Sequence, residues 1–166
     1  MRIGIISDTH IPLNAKELPP QLAKVFAGVQ LILHAGDVYL PSVLDELEAL
    51  APVLAAHGDG DSRLHIKMGA DPRMKKSHTI SVEGVCIGLV HHIRSPEASL
   101  EKVFGCPVDI AVCGHTHEAN IETHQGVVIV NPGSATLPLH QVNRSGTVGL
   151  LDVAQGKAEA HIVQLD

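Results

Sequence analysis

An α/β fold is what this sequence predicts, and three observations predict it. The chain opens on an apolar run, MRIGIISDTH, in which Ile3, Ile5 and Ile6 read as a strand that stops abruptly at Asp8-Thr9-His10. Through the first half, short apolar strands alternate with helical segments across short connections, the pattern of parallel strands joined by right-handed crossovers. The last thirty residues instead alternate and carry turn glycines, which predicts antiparallel strands closing a second sheet.

Taken in order, a polar loop containing Pro12 follows His10, and Pro19-Pro20 opens a short amphipathic helix with Leu22, Val25 and Phe26 on one face. Residues 30–34, QLILH, read as the second strand; it ends in Ala35-Gly36-Asp37, where glycine permits a tight turn. Pro41 opens a helix with Val43, Leu44, Leu47 and Leu50 at helical spacing, and Pro52 ends it before the strand VLAAH. That strand runs into Gly58-Asp59-Gly60-Asp61. Residues 62–75 have no clear period and, with Arg63, Lys67, Arg73 and Lys75, read as a loop near the mouth of a site. KSHTISVEG and VCIGLVH form a hairpin that turns at Glu83-Gly84 and ends in His91-His92. Ser95-Pro96 starts a helix, with Ser as N-cap, that runs to Phe104 before Gly105 stops it. DIAVC is a strand ending in Gly114-His115-Thr116-His117. ANIETH and VVIVN flank a turn at Gln125-Gly126, and the second arm ends in Asn131-Pro132-Gly133-Ser134. No repeat, linker or low-complexity segment interrupts the chain, so residues 1–166 are read as a single domain.

Composition narrows the function. A net charge of -6, from 12 Lys+Arg against 18 Asp+Glu, leaves no basic footprint for a nucleic-acid backbone or an anionic membrane. Two Phe, one Tyr and no Trp leave almost no platform for stacking bases. The 12 histidines equal all the Lys and Arg together, and imidazole is the commonest metal ligand. Cys86, Cys106 and Cys113 are odd in number and lack CxxC spacing, which suits reduced thiols and a cytoplasmic protein. No signal peptide precedes the first strand and no apolar run reaches membrane-spanning length.

Six strand ends thus deliver Asp8 and His10, Asp37, Asp59 and Asp61, His91 and His92, His115 and His117, and Asn131. Singly, each reads as a turn or cap residue. Jointly they do not, because structural turns have no reason to choose carboxylate and imidazole side chains at one strand terminus after another. Crowded carboxylates would repel and raise one another's pKa values, and divalent cations would offset that repulsion. Mixed oxygen and nitrogen donors suit Mn, Fe, Zn or Ni better than Ca or Mg. Two ions about 3.5 to 4 Å apart are the usual clamp on a phosphoryl group.

DTH, GD, the strand followed by GDGD, the strand ending at His91, GHTH and NPGS, in this order and spacing, resemble the calcineurin-like metallophosphoesterase superfamily. The similarity is closer to its small single-domain bacterial and archaeal phosphodiesterases. It implies a four-layer α/β/β/α fold, a sandwich of two mixed β-sheets with helices outside. It also implies two divalent ions, Mn foremost: Asp8, His10 and His117 would hold the first, Asp37 would bridge, and Asp59, His91 and His115 would hold the second. Three positions depart from the family pattern. Asp59 stands where the family usually has Asn, Gly60 where larger relatives place a catalytic His, and His92 where Gly is frequent.

The implied activity is metal-dependent phosphodiester hydrolysis by a hydroxide bridging the two metals, with His92, Arg63 or Arg94 as proton donor or phosphate contact. The partner expected is a small phosphorylated substrate; homo-oligomerisation is left open. One rival is a catalytically weak metal-binding scaffold, since the trafficking subunit of the retromer complex also resembles this family. The other is a His-rich metal-storage or sensor protein, which histidines confined to strand ends disfavour.

Overall fold

The computed structural model describes residues 1–63, 71–94, 100–137 and 146–166, without the side chains of Ser62 and Arg63. In one sheet, β1 (Arg2–Ile6), β2 (Leu31–His34), β3 (Val53–Ala56) and β4 (Met74–Lys75) lie parallel, as short strand-helix-strand connections require. A hairpin of β10 (Thr147–Ala154) and β11 (Lys157–Gln164) pairs antiparallel with β1, giving the order β11-β10-β1-β2-β3-β4. The second sheet contains β5 (Ser77–Val82), β6 (Val85–Val90), β7 (Ile110–Val112), β8 (Ala119–His124) and β9 (Val127–Pro132), in the order β5-β6-β7-β9-β8. Its three central strands are parallel and its two outer pairs antiparallel.

Three apolar layers separate the elements. Alternation along β1 sends Ile3 and Ile5 between the sheets, against Ile87, Leu89, Val112 and Val130, while Ile6 faces outward. On that outer face α1 (Leu22–Val25) and α2 (Pro41–Glu48) bury Leu22, Val43, Leu44 and Leu47. On the far side of the second sheet, α4 (Leu100–Phe104) covers Ala111, Cys113 and Ile129. The result is the α/β/β/α arrangement. The chain's two phenylalanines seat it from both sides: a Cβ on Gly4 would lie 3.0 Å from the Phe26 ring, and one on Gly88 would lie 2.6 Å from that of Phe104. Large aromatic side chains pack there because the strand beneath them has none.

Several expectations need correction. The C-terminal strands do not close the second sheet; they extend the first, with Arg2 of β1 opposite Asp152 of β10. β10 is buried on both faces, Val148 outward and Leu151 and Val153 between the sheets, as a strand inside a covered sheet must be. Residues 62–75 are not wholly loop, because Met74 and Lys75 pair with Ala55 and Ala56. Asp59 opens a short helix, α3 (Asp59–Arg63), in place of an open turn. Leu50 lies beyond α2 and is exposed. The predicted helix start at Ser95-Pro96 and the residue Lys67 lie outside the described residues. No helix among the described residues is long and apolar enough to cross a membrane.

Candidate metal centre

Parallel strands place their carboxyl ends at one edge of each sheet, and the chain's carboxylates and imidazoles collect there. The loop after β1 carries Asp8 and His10, the loop after β2 carries Asp37, and α3 begins with Asp59. The second sheet answers with His91 and His92 after β6 and His115 and His117 after β7. Backbone bonds tie these loops together: Asp8 N–H to Gly36 O and His10 N–H to Asp37 O, both 3.0 Å, and Gly114 N–H to His91 O, 2.9 Å. Asp8, His10, Asp37, His115 and His117 all adopt positive φ, between 45° and 75°. Left-handed backbone costs energy in L-residues and gathers at sites whose surroundings over-determine it.

The side chains form three groups whose donor atoms lie within 4.8 Å of one another: Asp8, His10 and His117; Asp8, Asp37 and His91; and Asp59, His92 and His115. The first was expected as a set. Asp8 Oδ1 lies 3.4 Å from His117 Nε2 and 3.7 Å from His10 Nε2, and the two imidazole nitrogens are 3.1 Å apart. Asp37 turns one oxygen to each side, Oδ2 to His10 Nε2 at 3.5 Å and Oδ1 to His91 Nε2 at 3.6 Å. That is the disposition a bridging carboxylate needs. The expected second set is divided: His91 groups with Asp8 and Asp37, whereas Asp59, with Oδ2 3.6 Å from His115 Nδ1, groups with the half-buried His92. Asp8 is wholly buried, but the Asp59 side chain is 59% exposed.

Two buried atoms test whether these residues suit a metal ion. Asp8 Oδ1 and His91 Nε2 are buried without a hydrogen-bond partner, a costly state for polar groups. With Ala35 O 2.7 Å from His91 Nδ1 and Leu137 O 3.0 Å from His117 Nδ1, each carbonyl selects the tautomer that leaves an Nε2 lone pair facing the carboxylates. A cluster of imidazole lone pairs and carboxylates that leaves Asp8 Oδ1 and His91 Nε2 without a partner is the chemistry of a divalent-cation site, and these residues fit one. Burial pushes the Asp8 carboxyl pKa up, but His10 and His117 outweigh it and hold the group below the usual carboxylate range. The same carboxylate raises the pKa of His117.

Surrounding groups fix the ligands, and most of them carry no chemical signature in the sequence. Asp8 Oδ2 accepts from Ser7 Oγ at 2.7 Å and His115 N–H at 3.0 Å, which leaves Oδ1 to face the histidines. Asp61, which turn chemistry and metal chemistry explain equally well, serves the backbone: its carboxylate accepts the N–H groups of Asp37, Tyr39 and Gly58 and shapes the Asp37 loop. Burial raises its pKa against those bonds. Asn131 donates to Gly114 O and Thr116 Oγ1, holding the His115–His117 turn. His34, fully buried, accepts from Gly36 N–H through Nδ1 and lies 3.2 Å from Thr9 Oγ1 through Nε2; burial pushes its pKa down to about 3. Gly58 and Gly114 press directly on Asp37 and Asp8: a Cβ on either would collide with the carboxylate.

Of the three residues expected to assist chemistry, His92 reaches the site, its ring stacked on His115 at 3.9 Å and 14°. Burial, then the neighbouring His115, lowers its pKa. Arg94 is exposed at the end of the same loop. The backbone of Arg63 closes α3, and its side chain lies outside the description.

Residues 1–156 match the model of the calcineurin-like phosphoesterase superfamily domain. The chain is 39% identical over 142 residues to a protein of Methanothermobacter thermautotrophicus that carries the name probable metallophosphoesterase, covering 83% of this chain and 79% of that one. Among solved structures, it resembles an archaeal phosphodiesterase with TM-score 0.69 and 22% identity, over 98% of this chain and all of the other. It also resembles wild-type Vps29 of Entamoeba histolytica complexed with zinc, with TM-score 0.74 and 23% identity over the whole of both chains.

Proposed function

The chain belongs to the calcineurin-like phosphoesterase superfamily, and on that premise we propose that it is a phosphodiesterase dependent on two divalent metal ions, of which Mn is the first choice. The single observation that carries the reading is the Asp37 carboxylate, whose two oxygens face His10 and His91 while Asp8 Oδ1 and His91 Nε2 stand buried and unpaired beside it. Asp8, His10 and His117 would hold one ion. Asp37 and His91, with Asp59 and His115 at the open side, would hold the other. When bound, the ions supply positive charge for the non-bridging phosphoryl oxygens and acidify an attacking water.

The chain's own groups do the rest. Asp8 keeps its carboxylate ionised among histidines. The carbonyls of Ala35 and Leu137 hold His91 and His117 in the tautomers that present Nε2. The stacked His92 stands at the exposed margin, where a proton must reach the departing alcohol oxygen, and it is the group we assign to that transfer. Arg63 and Arg94 are kept as phosphate contacts in this proposal. The three free cysteines support a cytoplasmic site of action.

Hydrolysis of bis(p-nitrophenyl) phosphate by protein loaded with Mn, abolished by chelator and by Asp37→Ala, is the expected result. Absence of turnover in protein shown to carry two ions would favour the scaffold reading, to which the likeness to Vps29 lends the same fold.

A further inference from the structure

Two of the three cysteines meet on the outer face of the second sheet, at the end of the sandwich away from the candidate centre. Alternation along β6 puts Cys86, Gly88 and Val90 on that face, where Cys86 and Phe104 pack against one apolar cluster. The last residues of α4 are anchored over it: Phe104 O accepts from Thr79 Oγ1 of β5 at 3.4 Å, and Gly105 N–H bonds Glu101 O at 2.7 Å. With φ at 77°, Gly105 turns the chain out of the helix, and Cys106 follows with its Sγ 4.0 Å from Phe104 O.

The residues after Cys106 are fastened to Cys86 itself. Cys86 N–H donates to Asp109 Oδ2 at 2.7 Å, and Cys86 O accepts the Asp109 N–H at 2.8 Å. β6 and β7 then run parallel from Ile87 opposite Ile110. Both thiols are half-buried and they interact: burial raises the Cys86 pKa, and Cys106 raises it further by charge and by side-chain contact. Cys113, in the same cluster, is buried, and burial pushes its pKa up to about 12, which keeps it an unreactive thiol.

We propose that Cys86 and Cys106 form a redox-active dithiol, closed to an intramolecular disulfide by exchange with a small-molecule disulfide of the glutathione class. The Cys106 thiolate attacks one sulfur of that reagent, breaks its S–S bond and releases one thiolate, leaving a mixed disulfide on Cys106. Cys86 then gives its proton to solvent and bonds the Cys106 sulfur, displacing the second thiolate. Two protein thiols are thereby oxidised and one small disulfide is reduced to two thiols. The new bond closes a loop of about 20 residues between β6 and the end of α4, which restricts the unfolded chain. In a reducing compartment the bond is transient, formed when small disulfides accumulate. It lies at the opposite end of β6 from His91, so its formation does not depend on ions held at the strand ends.

The test takes the whole chain, reduced and then freed of reductant, and equilibrates it with oxidised glutathione at mildly alkaline pH. Thiols titrated in denaturant should fall from three to one, and the intact mass should drop by two hydrogens with no glutathione attached. Peptide mapping should join Cys86 to Cys106 and leave Cys113 free. Tm should rise by about 5 °C or more, the shift expected from closing a loop of this size. Cys86→Ser should instead keep glutathione on Cys106 as a lasting mixed disulfide and show no such rise. Should that variant fail to fold, Cys106→Ser is read in its place and should form no intramolecular disulfide and show no rise. Three thiols surviving equilibration, a disulfide joining two chains, or an oxidised protein that melts no higher than the reduced one overturns the proposal.

Discussion

Gly58 stands so close to Asp37 that a methyl group there would overlap both the Asp37 Oδ1 atom and its backbone nitrogen. Gly58→Ala must therefore displace the Asp37 carboxylate, and overpacking of this kind costs about 1 to 3 kcal/mol. Urea unfolding in chelator should register that loss, and metal titration should show weakened binding; a variant with unchanged metal affinity would contradict the bridging role of Asp37. His34 makes a pH prediction at the same scale. Unfolded, it takes a proton near its ordinary value of 6.5, whereas in the native chain burial holds its pKa to about 3. Between those values the unfolded state binds more protons, so this residue makes stability rise with pH. From pH 6.5 down to 5 its share of the loss is about 2 kcal/mol, and His34→Gln should unfold with a correspondingly shallower pH dependence. Equal slopes for the two proteins would exclude it as a source. The candidate ligands were legible in the sequence because carboxylate and imidazole side chains recur at its strand ends. Ser7, Gly58, Gly114 and the structural role of Asp61 were not, because each depends on which distant segment comes to lie against it.

Among the elements, β4 shows how a strand too short to signal itself is held. Its two residues follow Arg73, whose guanidinium reaches Asp45 at 2.7 Å and Glu48 at 2.6 Å on α2 as well as Asp71 within its own turn. That arrangement draws the Arg73 carbonyl onto Ala55 N–H at 2.9 Å and the Lys75 carbonyl onto His57 N–H at 2.8 Å. Asp45 and Glu48 are largely exposed, so the ion pairs are screened and Arg73→Ala should cost only about 1 kcal/mol, less at high salt. Amide exchange is the sharper readout: the protons of Ala55 and His57 should exchange faster in the variant, while those of β1 and β2 should not. Uniform acceleration across the sheet would mean that Arg73 supports the whole fold and not this edge. Periodicity could not find β4, since two residues carry no period, nor could it assign the C-terminal hairpin to its sheet. Alternation states that a strand has two faces, and only the facing partner decides which sheet receives it.

At the scale of the molecule, the candidate centre joins two sheets that otherwise meet through apolar side chains. Asp8, Asp37 and Asp59 come from the first sheet, and His91, His115 and His117 from the second, so an ion held by this set crosslinks the sandwich at one edge. Without it, Asp8 Oδ1 and His91 Nε2 remain buried and unpaired at the seam between the sheets. A ligand that binds only the native state adds RT ln(1 + [L]/Kd), about 2.7 kcal/mol at a hundredfold excess over Kd for each independent site. For a chain of this size each kcal/mol moves Tm by about 2 to 4 °C, so chelation should lower Tm by about 5 to 11 °C per site, and added Mn should restore it. The variants apportion the effect: Asp37→Ala, which removes the carboxylate facing both groups, should abolish the Mn-dependent rise, whereas His10→Ala should keep part of it. If chelator left the melting curve of initially metal-loaded protein unchanged, the strand-end residues would be holding the sandwich together by hydrogen bonds and packing alone, and the metal centre assigned to them would be wrong.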